Sequence, residues 1–170
     1  MSELHVLVVF YSRYGTTERL ALAAGLGAVQ ARALIRLRRV ADLADPQTIN
    51  ATPAWRENLD RMNRDYVAPR PADPVWADLI VLATPADSSA EIEGYCTVLR
   101  STGLPSGTIA APLAPGSSAQ ALGPIYAAAA SAGLIVVPGQ LVSGDEVAAA
   151  REHGRRVAEM ARALKKARDG

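Results

Sequence analysis

The residues best suited to chemistry lie in one polar loop near the N-terminus. This loop runs from Tyr11 to Glu18 (YSRYGTTE), follows a short apolar run and leads into a helical pattern. Free backbone N–H groups and the positive end of the helix dipole favour an anion at such a place. Ser12, Thr16 and Thr17 add hydroxyl donors, and a glycine at position 15 lets the backbone approach a ligand without a Cβ. The pattern predicts a phosphate-binding loop; an ordinary helix capped by Ser12 or Thr16 is the alternative.

Two further loops share this small, polar character. They cover residues 84–89 (TPADSS) and 114–118 (APGSS), and each ends where a helix is predicted to begin. None of the three loops is a dinucleotide G-x-G-x-x-G motif or a Gly-Lys-Ser/Thr triphosphate motif. Because parallel α/β sheets bind ligands at the carboxyl ends of their strands, the three loops predict one shared cleft.

Five short apolar runs predict the strands that must position these loops. They cover residues 6–10, 34–37, 79–83, 108–113 and 134–137. Four are nearly continuous in apolar residues, as expected in a parallel sheet covered on both faces, whereas residues 34–38 alternate and predict an edge strand.

Helical periodicity separates the strands. Apolar residues recur at i, i+3, i+4 and i+7 from Ile92, Leu122 and Val157, and residues 17–29 are rich in Ala and Leu. This alternation predicts an α/β three-layer sandwich with a five-stranded parallel sheet, formed by residues 1–170 as a single domain. Residues 45–74 carry five prolines and predict a long connection with a short helix at 55–65.

Composition excludes several classes of protein. The formal net charge of +1 gives no overall field that would attract nucleic acid or an anionic membrane. The lone Cys96 cannot form an internal disulfide and is predicted to be a core residue. With no signal-peptide pattern at the start, the chain is predicted to be cytoplasmic.

No metal site or catalytic side chain is predicted. His5 and His153 have no partner at ligand spacing, and Asp42, Asp45 and Glu57 show no pairing typical of acid/base catalysis. Four arginines cluster around the predicted edge strand, where charge protects an edge against aggregation. They are Arg32, Arg36, Arg38 and Arg39.

The first loop resembles the FMN phosphate loop of the WrbA-like NAD(P)H:quinone oxidoreductases, which reads Tyr-Ser-x-Tyr-Gly. Residues 76–85 (WADLIVLATP) resemble that family's third strand, which ends in Gly-Thr-Pro, and residues 150–158 (AREHGRRVA) are similar to its last helix. The resemblance spans nearly the whole chain. It implies a flavodoxin-like fold and FMN as the cofactor.

The resemblance also implies which residues bind FMN. Those that would hold the phosphate are Ser12, Arg13, Tyr14, Gly15, Thr16 and Thr17. Those that would border the flavin ring are Pro85, Ala86, Asp87 and Ser88 on one side and Pro115, Gly116 and Ser117 on the other.

The chain departs from this family at three places. Residues 86–89 (ADSS) replace Arg-Phe-Gly-Asn, so the aromatic residue beside the flavin is missing. The connection before the fourth strand is shorter, and the third loop lacks a Thr-Gly-rich run. Phosphate binding is therefore better supported than ring binding, and ring binding better than quinone reduction.

Three functions follow from these features. The first is hydride transfer from NAD(P)H through FMN to a quinone or a similar small acceptor, without a protein acid or base. The second is a flavodoxin-type electron carrier without its own catalysis, but such carriers are typically strongly acidic and the net charge of +1 favours the enzyme. The third is a flavodoxin-like protein that has lost flavin binding.

The resemblance implies a homodimer or homotetramer as well. Trp55 and Tyr66 are predicted to supply aromatic surface for its interface, and residues 45–74 to contribute to the interface or to the cleft. The alternative is that both aromatic side chains fold back onto their own domain.

Overall fold

The computed structural model describes residues 2–144 and 146–170. Its strands are β1 (Leu4–Phe10), β2 (Ala33–Arg39), β3 (Leu79–Ala83), β4 (Ile109–Pro115), β5 (Ile135–Val136) and β6 (Gln140–Val142). All pair in parallel in the order β2-β1-β3-β4-β5, and β6 also pairs with β4. This confirms the predicted parallel sheet, with β2 at its edge.

Helices cover both faces of the sheet. They are α1 (Thr16–Gln30), α2 (Pro46–Asn50), α3 (Pro53–Asp65), α4 (Ala72–Trp76), α5 (Ala90–Arg100), α6 (Gly123–Ser131) and α7 (Val147–Asp169). Successive side chains of β1 point to opposite faces: Val6, Val8 and Phe10 pack in the core formed with α1 and α7. Leu7 and Val9 pack in the second core, formed with α5 and α6. The predicted three-layer sandwich is confirmed.

The outer strand beyond β4 is broken in two, which the sequence analysis did not foresee. It predicted one strand at residues 134–137, whereas β5 is followed by Pro138 and Gly139 and then by β6. The break lies opposite Pro112 of β4, a residue without a backbone N–H, and a Cβ on Gly139 would lie 2.8 Å from the Pro112 carbonyl oxygen. Proline and glycine in strands are typical of such interruptions.

Strand β2 is an exposed edge that carries charge. Arg36 and Arg38 bind the carboxylate of Asp73, which is 1% exposed, at 3.2 Å and 2.7 Å. Asp73 belongs to α4, so these arginines fix a helix against the edge besides placing charge along it. The Arg39 N–H donates to the Val67 carbonyl at 3.1 Å, which partly closes the edge.

The proline-rich stretch of residues 45–74 is more ordered than a long connection. The predicted short helix is confirmed as α3, but α2 and α4 flank it. Pro46 and Pro53 stand at the first positions of α2 and α3, where a missing N–H costs nothing. In the described residues no helix has both the length and the apolar character needed to cross a membrane.

Helices α1 and α7 touch through glycines. A Cβ on Gly154 would lie 2.0 Å from the Ala24 carbonyl oxygen, and one on Gly27 would lie 1.9 Å from the Arg151 carbonyl oxygen. These backbones therefore pack closer than any residue with a side chain would allow at either position. Since α1 begins at the polar loop, this contact helps to place the site.

Two side chains without predicted chemistry are buried. Cys96 of α5 lies in the second core, as predicted, and burial raises the pKa of its thiol to about 12. His153 of α7 is 1% exposed, and burial followed by the nearby Arg156 lowers its pKa to about 4.

We expect the protein to lose stability as the pH falls from 6.5 towards 4, because of His153. In the unfolded chain this histidine is protonated below about pH 6.5, whereas in the folded chain it is protonated only below about pH 4. The loss should reach on the order of 3 kcal/mol at the low end. Urea unfolding of the wild type and of His153→Gln between pH 5 and 6.5, above the range where carboxylates titrate, measures it. Equal pH slopes for the two proteins would contradict the assignment.

Candidate functional site

Three strand-end loops meet in one cleft of about 200 Å³. The loops follow β1, β3 and β4, whose carboxyl ends lie side by side at the centre of the sheet. Nine predicted site residues line the cleft: Ser12, Arg13, Tyr14, Thr16, Thr17, Pro85, Ala86, Asp87 and Pro115. The structure thus brings the three loops together as the sequence predicted.

The loop after β1 presents unpaired backbone donors. Gly15 is the N-cap of α1, and its own N–H donates to the Ser12 hydroxyl oxygen at 3.1 Å. The N–H groups of Arg13, Tyr14, Thr16 and Thr17 meet no acceptor in residues 2–144 or 146–170. Four free donors at the positive end of a 15-residue helix form a cradle for an anion. We call residues 12–17 the cradle loop.

Gly15 is required for a different reason from the one the sequence suggested. A Cβ at this position would point towards Glu18 Oε2 at 3.5 Å and Arg61 Nη2 at 3.8 Å, away from the cleft. The backbone, however, has a φ of 100°, which residues with a side chain rarely adopt. Glycine therefore sets the turn of the cradle loop, and its missing side chain is not what leaves room for the ligand.

The walls of the cleft are mostly small side chains. Tyr14, 55% exposed, is the only aromatic residue among those described as lining it. The Arg13 guanidinium lies 4.6 Å from the centre of the Trp55 ring, and its Nε donates to the Tyr11 hydroxyl at 3.2 Å. A cation is thus held at the cleft by a stacking contact and a hydrogen bond, which favours a negatively charged ligand.

Behind the cradle loop lies the buried carboxylate of Asp42. It accepts hydrogen bonds from the Tyr11 hydroxyl at 2.8 Å, Trp55 Nε1 at 2.9 Å and Arg39 Nη2 at 2.8 Å. Arg39 also donates to the Ser12 carbonyl at 3.2 Å. Burial raises the pKa of Asp42, but the Arg39 contact and the other two bonds outweigh it and leave the pKa below its ordinary value. Asp42 is therefore ionised and ties the start of the loop to β2 and α3.

A second acid, Glu18, lies in the first turn of α1. Its side chain is 7% exposed and accepts from Arg61 at 2.9 Å and 2.6 Å and from the Tyr66 hydroxyl at 2.6 Å. Burial raises the pKa of Glu18, but the bonds from Arg61 and Tyr66 outweigh it and keep the pKa below its ordinary value. Helix α3 thus contacts Arg13 of the cradle loop through Trp55, and Glu18, the residue directly after the loop, through Arg61.

Four predicted site residues lie beside the cleft without lining it. The Ser88 hydroxyl donates to Glu91 at 2.9 Å, and its carbonyl accepts from the Thr84 hydroxyl at 3.0 Å, so Ser88 shapes its own loop. Gly116 and Ser117 line an adjoining hollow with Ala86 and Pro115. Gly15 faces the hollow that contains Glu18 and Arg61.

Comparison with known proteins gives one relative and many structural matches. No family model matches the chain. A curated protein of Deinococcus radiodurans, described as an NAD(P)H dehydrogenase (quinone), is 36% identical over 78 residues, 46% of this chain and 38% of that protein. The chain therefore matches well under half the length of that relative.

Solved structures match over nearly the whole chain. A flavodoxin from the domain Archaea matches with a TM-score of 0.66 and 16% identity over 94% of this chain and 99% of that one. The Flv1 flavodiiron core of Synechocystis sp. PCC6803 matches with a TM-score of 0.68 and 14% identity over 95% of this chain but 36% of that one. The chain has a flavodoxin-like fold. That part of the expected family resemblance is confirmed, whereas membership of the WrbA-like family stays a prediction.

The residues that support the cleft from behind were not predictable from the sequence. Asp42 was set aside because it shows no pairing typical of acid/base catalysis, but its partners Tyr11, Arg39 and Trp55 come from three separate segments. Local spacing carries no signal for such a cluster. Glu18 was part of the quoted loop, yet nothing in the sequence indicated that Arg61 would bind it.

The prediction that Trp55 and Tyr66 expose aromatic surface is wrong. Trp55 is 5% exposed with its Nε1 on Asp42, and Tyr66 contacts Phe10 edge to face at 5.0 Å between ring centres. Both fold back onto their own domain, which was the alternative. The homodimer or homotetramer stays a prediction, now without these side chains as its surface.

Proposed function

We propose that the chain binds FMN with its phosphate on the cradle loop. The observation that carries this proposal is the set of four unpaired backbone N–H groups before and at the N-terminus of α1, on residues that line the cleft. Thr16, Thr17 and Arg13 line the same cleft, and hydroxyl and guanidinium groups suit a dianionic phosphate. The residues present therefore fit the phosphate of FMN.

The ring end of the cleft has fewer specific features. Pro85, Ala86 and Asp87 from the second loop and Pro115 from the third would border the flavin, with Tyr14 as the neighbouring aromatic residue. We assign Ser88, Gly116 and Ser117 to the shaping of these loops. The small side chains at 86–89 leave the ring less enclosed than the phosphate, so the phosphate should supply most of the specificity.

We further propose that the protein is an NAD(P)H:quinone oxidoreductase. The 36% identity over 78 residues to the Deinococcus radiodurans protein supports this activity over other flavin chemistry. The chemistry that FMN supplies when bound is hydride transfer from NAD(P)H to a quinone or similar acceptor. This chain's residues bind and orient the cofactor, and no side chain is assigned as acid or base.

FMN should bind more tightly than FAD, by about tenfold or more. The phosphate of FMN is terminal and can be enclosed by the cradle loop. In FAD the same phosphate is linked to an adenylate, which would have to pass through the loop beside the same N–H donors. Titration of the purified protein with each flavin, followed by quenching of flavin fluorescence, measures both affinities. Equal or tighter binding of FAD, or no binding of either, would overturn the proposal.

The matched variant for this titration is Thr17→Val, which removes a hydroxyl at nearly constant volume. Thr17 is buried and lines the cleft. Loss of one hydrogen bond to a charged group should weaken FMN about tenfold and leave riboflavin, which has no phosphate, unchanged. An equal loss for both flavins would point to general damage of the loop.

A flavodoxin-type electron carrier is the second candidate. The full-length structural match to a flavodoxin favours it, although that match shows the fold alone. Steady-state oxidation of NADH and NADPH by the FMN-loaded protein, with and without a soluble quinone, separates the candidates. An enzyme turns over with quinone present; a carrier leaves both nicotinamides unoxidised on that timescale.

A further inference from the structure

Glu18, the residue directly after the cradle loop, creates an apparent conflict of charge with a bound phosphate. Glu18 is the third residue of α1, in the turn whose free N–H groups form the anion cradle. A carboxylate at this position commonly reaches back to the N-terminal N–H groups of its own helix, as in a capping box. It would then compete with a bound phosphate and repel it.

The structure shows Glu18 turned the other way. Its two oxygens lie 2.9 Å and 2.6 Å from the Arg61 guanidinium nitrogens, and the Tyr66 hydroxyl donates to Oε1 at 2.6 Å. The Gly15 N–H, the group that a capping-box carboxylate would take, is satisfied by Ser12 instead. The carboxylate still lies close to the loop, because a Cβ at Gly15 would be 3.5 Å from Glu18 Oε2.

Anchoring of α3 does not by itself require this ion pair. Trp55 and Met62 of α3 are 5% and 0% exposed, and Met62 packs into the core with α1. Arg61 itself is 39% exposed on its side chain, whereas Glu18 is 7% exposed. The pair therefore places a half-buried cation against a buried anion next to the cradle, where the net charge matters most.

We propose that Arg61, assisted by Tyr66, is a positioning residue that holds the Glu18 carboxylate away from the cradle donors and neutralises it, so that a phosphate monoester can bind. The proposal rests on the proposed function, because the monoester is that of FMN. Arg61 acts through Glu18, to which both of its terminal guanidinium nitrogens donate.

Arg61→Gln should weaken FMN binding about tenfold, because the freed carboxylate repels the phosphate and competes for its donors. Riboflavin affinity should stay unchanged, since it carries no phosphate. Fluorescence titrations with both flavins, with the melting temperature of each variant measured alongside, give the comparison. A merely structural role for Arg61 would lower both affinities together.

A double variant tests whether the Glu18 carboxylate causes the loss of FMN affinity in Arg61→Gln. Glu18→Gln/Arg61→Gln should recover FMN affinity to within about twofold of the wild type, since the repelling charge is gone. The matched control is Arg56→Gln, which removes the same charge from α3 but pairs only with Asp60 on that helix among the described residues. It should leave FMN affinity unchanged.

The outcomes separate the two proposals. A wild type that binds FMN, together with an Arg61→Gln variant of unchanged FMN affinity, overturns the positioning role and leaves the proposed function intact. Failure of the double variant to recover affinity also overturns it. A wild type that binds neither flavin overturns the proposed function, and the role of Arg61 with it.

Discussion

Gly154→Ala is expected to lower the free energy of unfolding by about 3 kcal/mol or more. The added methyl would lie 2.0 Å from the Ala24 carbonyl oxygen and 2.7 Å from its Cα, so α1 and α7 must move apart. Backbone atoms of two packed helices cannot turn aside as a flexible side chain would. Urea unfolding monitored by circular dichroism measures the loss.

The control is the same substitution in another helix. Gly94 lies within α5, and apart from its chain neighbours and its own helix backbone no described residue has a heavy atom within 4 Å of its Cβ position. Gly94→Ala should stabilise the protein by about 0.5–1 kcal/mol, since alanine is the better helix former. If Gly154→Ala proves as stable as Gly94→Ala, the close approach of α1 and α7 does not hold in solution.

Asp42→Ala should cost about 3–5 kcal/mol of stability, the usual cost of stranding one partner of a buried ion pair. The side chains of Asp42 and Arg39 are each 5% exposed, so Arg39 would stay charged without the carboxylate that binds it directly. Tyr11 and Trp55 would lose their acceptor as well. FMN affinity should fall with stability, because Arg39 also holds the Ser12 carbonyl at the start of the cradle loop.

Asp45→Ala provides the comparison for Asp42→Ala. Asp45 is exposed three positions later and caps α2 by accepting from the Thr48 N–H at 2.9 Å. Its loss should cost much less stability than Asp42→Ala and leave FMN affinity unchanged. Similar losses for the two aspartates would show that the Asp42 cluster adds nothing beyond a surface contact.

The sheet was predictable from sequence because its signal is local. The runs that became β1, β3 and β4 are continuous in apolar residues, and helical periodicity separates them. The break in the outer strand escaped because β6 has only three residues and depends on pairing with β4. Helices α2 and α4, of five residues each, are likewise too short for a period to appear.

The site was predictable only where it is contiguous. Glycine, proline and hydroxyl residues at strand ends indicated the three loops, and nine residues of these loops line the cleft. The supports behind them join Tyr11 to Asp42 and Glu18 to Arg61, pairs 31 and 43 positions apart. Such pairs leave no pattern in one sequence. The burial of Trp55 was not predicted because the local sequence of an aromatic residue among prolines does not differ between one that faces solvent and one that contacts a buried carboxylate.

The interrupted strand beyond β4 restricts how copies of this chain can assemble. A continuous sheet across two subunits needs a straight outer strand with a regular row of free N–H and C=O groups. On one side of the sheet that row is broken between β5 and β6. On the other side the Val67 carbonyl already accepts a hydrogen bond from β2, and two arginines of β2 bind Asp73 of α4. The predicted homodimer or homotetramer would therefore have to use the outer surfaces of helices and loops, where contact would leave the sheet of each subunit unchanged.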